Sequence, residues 1–172
     1  ITLEGLGHGH STDTNLGSAR LITTSNITIL TFTNAASGAV VRNLAIRGPG
    51  TGSSTLPGVL WTNVPYCGMV DSSVEAFSVG VRYGGGSCFL CWMRDSQIQK
   101  NGSINIDAKA NTNGLQLANI TFGGGPAATG LKVVDSDNLQ LIGGDVEGVT
   151  LVAVDLDATA TLPAAHVIAG VH

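Results

Sequence analysis

Two acidic residues, Asp145 and Glu147, stand two apart in the run Gly143-Gly144-Asp145-Val146-Glu147-Gly148. In an extended chain that spacing puts both carboxyl groups on one face, about 6.6 Å apart at Cα. Glycoside hydrolysis needs two carboxyl groups, roughly 5–5.5 Å apart for retention and roughly 6.5–9.5 Å for inversion. Asp145 and Glu147 are therefore the candidate catalytic pair, against the plainer reading of a solvated acidic edge. Asp155 and Asp157 repeat the spacing, and Glu75 projects outward with Gln99 24 residues further on. A second set, Trp92, Arg94, Gln116 and Lys132, combines an aromatic plane with cationic and amide donors. Such groups bind sugars by apolar stacking and acidic sugars by bidentate carboxylate recognition. The competing reading packs Trp92 under a loop and leaves the charges to solvent. Trp61, Tyr66 and Tyr83, in or beside return segments, offer further stacking planes or serve as loop anchors.

Other chemistry is thinly supported. Cys88-Phe89-Leu90-Cys91 has the spacing of half a zinc site or a redox pair. No second pair supplies the roughly four ligands that structural zinc needs, so Cys67, Cys88 and Cys91 read as buried apolar residues. His8-Gly9-His10 would hold a metal only if three chains met there on an axis, whereas its surroundings read as a turn. Neither metal nor cofactor is expected. Asn26-Ile27-Thr28, Asn101-Gly102-Ser103 and Asn119-Ile120-Thr121 match the N-glycosylation sequon, a weak signal in an Asn- and Thr-rich chain.

The elements that must position these groups emerge from self-similarity. Cys67-x-Met69-x-Asp71-Ser72-x-Val74 recurs 24 residues later as Cys91-x-Met93-x-Asp95-Ser96-x-Ile98, and after 24 more as Leu115-x-Leu117-x-Asn119-x-x-Phe122. Ala39-x-Val41-x-Asn43-x-x-Ile46 precedes them, and Ile22-x-Thr24-x-Asn26 fainter still. Leu131-x-Val133-x-Asp135 and Leu151-x-Ala153-x-Asp155 read as later copies. Alternation at period two marks a half-buried strand, and Asn or Asp marks a bend, because these residues accept left-handed backbone angles. A strand, a bend, a strand and a variable return loop make one winding. The expected fold is all-β, a right-handed parallel β-helix of about six to seven coils, with its core coils over about residues 1–158 and a tail or new segment over 159–172. An antiparallel sandwich also uses short strands and glycine-rich turns, but it does not impose one register on distant segments.

Aligning the windings puts Val40, Gly68, Trp92, Gln116 and Lys132 in one outward column, and Arg42, Val70, Arg94, Ala118 and Val134 in the next. Inside, Cys67 would lie on Cys91, Met69 on Met93, and Val74 on Ile98 and Phe122. Composition agrees with a packed core: 172 residues suffice for one domain, spanning 1–172, and only 12% are charged. A net charge of −4 without basic runs argues against nucleic acid. The longest apolar run, residues 88–93, is far below the roughly 20 residues that cross a bilayer. The chain starts at Ile1 in what reads as a strand, so it is expected to be part of something longer.

The opening Ile1-Thr2-Leu3-Glu4-Gly5-Leu6-Gly7-His8-Gly9, with Val41-Arg42-Asn43-Leu44-Ala45-Ile46 and Ala118-Asn119-Ile120-Thr121-Phe122-Gly123-Gly124, resembles the pectate-lyase-like right-handed β-helix superfamily, and within it bacteriophage tailspikes. The resemblance covers about residues 1–158. It implies a homotrimeric, extracellular virion-tail protein that binds, and often cleaves, bacterial capsular or O-antigen polysaccharide. The grouped acidic ligands and catalytic Arg of calcium-dependent pectate lyases are not recognisable, so depolymerase activity would be hydrolytic. A free polysaccharide lyase or hydrolase and a non-catalytic structural or adhesive β-helix are the alternatives. Open solenoid ends and a high mean hydropathy of +0.28 both point to assembly.

Overall fold

The computed structural model describes residues 2–5, 19–84, 86–123, 125–127, 129–157 and 166–172. His8-Gly9-His10 and most of the opening motif lie outside these. Every strand pairing among the described residues is parallel, in one ten-stranded and one six-stranded sheet that stack as a β-solenoid of about six turns. The expected parallel β-helix is what forms.

Each full winding has three facets. The first carries Val40–Arg42, Gly68–Val70 and the leading halves of Trp92–Gln99, Gln116–Gly123 and Gln140–Glu147. The second carries Ala19–Ile22, Leu44–Arg47, Ser73–Glu75 and the trailing halves of the same three long strands. The six-stranded sheet is the third facet, built from Leu30–Thr33, Pro57–Thr62, Val79–Tyr83, Ile104–Ala108, Thr129–Val134 and Val152–Asp157.

The corner between the first two facets falls on Asn43, Asp71, Asp95 and Asn119, with φ of 55°, 48°, 49° and 54°. Left-handed angles cost an L-residue about 1–2 kcal/mol, which Asn and Asp tolerate best because their short side chains bond locally. Here the side chains also bond along the corner: Asn119 Nδ2 donates to Asp95 Oδ1 at 3.1 Å. The serines that follow Asp71 and Asp95 join one winding to the next. Ser96 Oγ accepts from Ser72 N at 3.3 Å and donates to Arg94 O at 2.8 Å, while Ser72 Oγ accepts from Leu44 N and donates to Val70 O. At the next two windings the corner passes to Gly143 and Gly170, with φ of 66° and 64°.

This corner corrects part of the sequence alignment. Leu131-x-Val133-x-Asp135 is not a first-facet copy. It lies on the third facet, where Leu131 pairs with Ile106 and Val154. Asp155 is likewise a mid-strand residue of the third facet and not a corner, and Ile22 belongs to the second facet opposite Arg47. The winding after Leu115-x-Leu117-x-Asn119 is Leu139-x-Leu141-x-Gly143. Lys132 and Val134 consequently leave the outward columns, and Gln140 and Ile142 take their places.

Core residues stack by position. Met69 pairs with Met93, Met93 with Leu117 and Leu117 with Leu141, and all four are essentially buried. Val74, Ile98 and Phe122 form the second-facet column, as expected from the repeat. Burying each such side chain contributes about 1.5–3 kcal/mol relative to exposure. On the third facet Trp61 and Tyr83 point inward, and they are buried strand residues and not loop anchors. Phe32, Trp61 and Tyr83 stack on successive windings, with ring centroids 4.1 and 6.3 Å apart and planes within 13° and 8°.

Candidate functional site

Parallel strands about 4.8 Å apart turn the outer face of the first facet into rows of side chains at regular steps. Gly68, Trp92, Gln116 and Gln140 form one such row, and Val70, Arg94, Ala118 and Ile142 the other. An open groove of about 350 Å³ lies over the middle windings, lined by Trp92, Met93, Arg94, Gln116 and Ala118. Trp92 leans back over the preceding winding. A Cβ built on Gly68 would come within 2.1, 2.3 and 2.5 Å of Cε2, Cζ2 and Cδ2 of the indole, so only a glycine admits the ring there. The Arg94 guanidinium lies over the same ring, 4.8 Å from its centroid, a cation–π contact that holds both groups in the groove. Trp92 is half-buried, and Arg94 and Gln116 are exposed.

The corner leading into these strands carries Tyr66 and Phe89, edge to face at 5.3 Å and 79°. Tyr66 is 52% and Phe89 37% exposed. Phe89 was not legible as a site residue; its signal was its place two residues ahead of Cys91, beside the recurring strand.

The structure brings together Trp92, Arg94 and Gln116 but not the rest of the sequence-derived set. Lys132 stands on the third facet, where its Nζ is 3.3 Å from Asp155 Oδ2. It belongs to an outer row of alternating sign, Arg82, Asp107, Lys132 and Asp155, in register from one winding to the next. Asp107 is buried, its Oδ2 at 2.8 Å from Arg82 Nε and 3.3 Å from Lys109 Nζ.

Asp145 and Glu147 lie on the second facet, in register with Thr121 and Gly123. The Gly143 corner separates them from Gln140 on the same strand, so they are not part of the Trp92 groove. Asp145 is half-buried, Glu147 is exposed, and neither is ion-paired among the described residues. Glu75, in the same outer row as Glu147, is buried and 3.5 Å from Arg47 Nε. Among the described residues no group of three or more His, Cys, Asp or Glu side chains could hold a metal ion. The three sequon asparagines are occupied: Asn26 Nδ2 donates to Thr55 Oγ1, Asn101 is buried with Nδ2 donating to Val74 O, and Asn119 bonds Asp95.

The chain matches no protein-family model, no curated protein and no solved structure.

Proposed function

We propose that this chain is a tailspike-like host-recognition β-helix that binds bacterial surface polysaccharide along its first facet. The observation that carries the reading is the groove over Trp92, Arg94 and Gln116, where an aromatic plane, a guanidinium and an amide sit on adjacent rungs of a rigid sheet. Side chains on regular strands are held more precisely than side chains on loops, which suits a repeating ligand. The guanidinium suits an acidic sugar, the indole the apolar face of a ring, and Gln116 its hydroxyls. A homotrimer on an extracellular virion tail belongs to the same tailspike-like reading. Under this reading Asp145 and Glu147 are the pair that would carry hydrolysis, on the neighbouring facet.

The test is affinity for capsular and O-antigen polysaccharides with Trp92→Ala beside the wild type. The expected loss is about tenfold or more, about 1.4 kcal/mol, with an unchanged far-ultraviolet circular dichroism spectrum. Unchanged affinity removes the groove as the binding site. Incubation products classify the chemistry: new reducing ends mean hydrolysis, an unsaturated chromophore means a lyase, and intact polymer means binding alone.

A further inference from the structure

Cys67 and Cys91 occupy the same inward position on consecutive windings. Trp92 N donates to Cys67 O at 2.9 Å and Gln116 N to Cys91 O at 3.0 Å, the unbroken ladder of the first facet. Their Sγ atoms are 2.8 Å apart, within about 0.8 Å of a covalent S–S bond. Parallel neighbours about 4.8 Å apart also fall inside the roughly 4.4–6.8 Å Cα separation that a disulfide requires. Cys88, three residues before Cys91, also hydrogen-bonds the Cys91 thiol and donates to Trp61 O at 3.3 Å, but Cys67 is the thiol in line with Cys91 across the ladder. We propose that Cys67 and Cys91 are the site of an intrachain disulfide clasp between consecutive windings, formed by exchange with a small-molecule disulfide such as oxidised glutathione.

The exchange runs in two steps. One cysteine thiolate attacks glutathione disulfide, forming a protein–glutathione bond and releasing one glutathione thiolate. The second cysteine thiolate then attacks the protein sulfur of that mixed disulfide and displaces the other glutathione. Two protein thiols thus lose two protons and two electrons, and one small disulfide becomes two thiols. Both cysteines are fully buried, and hydrogen bonding with Cys67 together with burial pushes the Cys91 thiol up to about 12. Thiolate is the reacting form, so the closed core resists the reaction and the clasp forms while the windings are still docking. Once made, it ties together the strands carrying Gly68 and Trp92, the residues that follow Cys67 and Cys91. The clasp stands on thiol geometry alone and does not depend on the glycan reading.

The experiment refolds the full chain from denaturant in a reduced/oxidised glutathione buffer, alkylates it under denaturing conditions and maps its peptides by mass spectrometry. The expected map joins Cys67 to Cys91 and leaves Cys88 alkylated, and the oxidised protein melts at a higher temperature than the protein refolded with excess reductant. Cys88→Ala keeps the link and Cys67→Ala abolishes it. Native protein with all three cysteines alkylated, or a map joining Cys88 to Cys91, overturns the proposal. The wild-type map decides the question even where a cysteine variant fails to fold.

Discussion

Gly68→Ala is the sharpest probe of the first-facet platform, because the added methyl has one principal obstacle. Gly68 has no left-handed φ, so alanine fits its strand backbone without strain. Three indole carbons of Trp92 lie 2.1–2.5 Å from the new Cβ, so the ring must leave its seat. Eviction breaks the contact with Arg94, worth about 0.5–1 kcal/mol at an exposed site. Re-exposing about 40 Å² of ring costs about 1 kcal/mol more at about 25 cal/mol per Å². Against these stands the gain from a stiffer unfolded chain, about 0.4–1 kcal/mol for glycine to alanine at a compatible position. The net effect in the wild type is a destabilisation of about 1 kcal/mol. With Trp92→Ala already in place the obstacle is gone, and the same substitution stabilises by about 0.4–1 kcal/mol. Urea denaturation of the four proteins of this double-mutant cycle reads the coupling, expected at about 1.5–2 kcal/mol with a change of sign between backgrounds. The same sign and size in both backgrounds refutes the placement of the indole on Gly68.

Two further outcomes follow from the corner and the core. At Asp95, with φ of 49°, Val is expected to lower stability by about 2 kcal/mol or more and Gly by less than about 1 kcal/mol, because β-branched residues resist left-handed angles; equal urea midpoints for the two variants would contradict the left-handed corner. Alkaline pH tests the buried acids. Hydrogen bonding with Cys91 and burial raise Cys88, hydrogen bonding with Cys67 and burial raise Cys91, and burial and the nearby cysteines raise Tyr83. An acid raised on folding adds stability that is complete below its unfolded pKa and drains as pH climbs toward the folded one. The urea midpoint of the reduced protein should therefore hold to about pH 8.5 and fall above it, as unfolded thiols and then tyrosine ionise. A midpoint still level at about pH 11 would show that these groups ionise freely in the folded state.

The first-facet windings were legible because Cys-x-Met-x-Asp-Ser recurs with the same residue types at one offset, and types shared at a fixed offset report stacking directly. Asp135 mimics a first-facet corner for a physical reason. A two-residue alternation ending in a left-handed Asn or Asp fits any corner of the coil, and Asp135, with φ of 48°, is a corner of a different facet. The true successor to Asn119 was hidden because Gly143 makes the same bend without a polar side chain. The same ambiguity places Lys132 beside Gln116 in the sequence alignment, whereas Trp92, Arg94 and Gln116 rest on the 24-residue offset and share one groove. The inward direction of Trp61 and Tyr83 is hard to read because the polar corners that end the third facet, Asn34, Asn63 and Asp135, recur at no fixed offset, and Pro57 at the head of a strand reads as a loop residue.

The row Arg82, Asp107, Lys132 and Asp155 alternates in sign with every step along the axis. Duplicating a single turn within it would set two cations or two anions side by side, while duplicating two turns would preserve every attraction. Parity thereby becomes a rule of growth: along this stretch the spiral lengthens without electrostatic penalty only in pairs of turns, and an odd insertion must also change a charge.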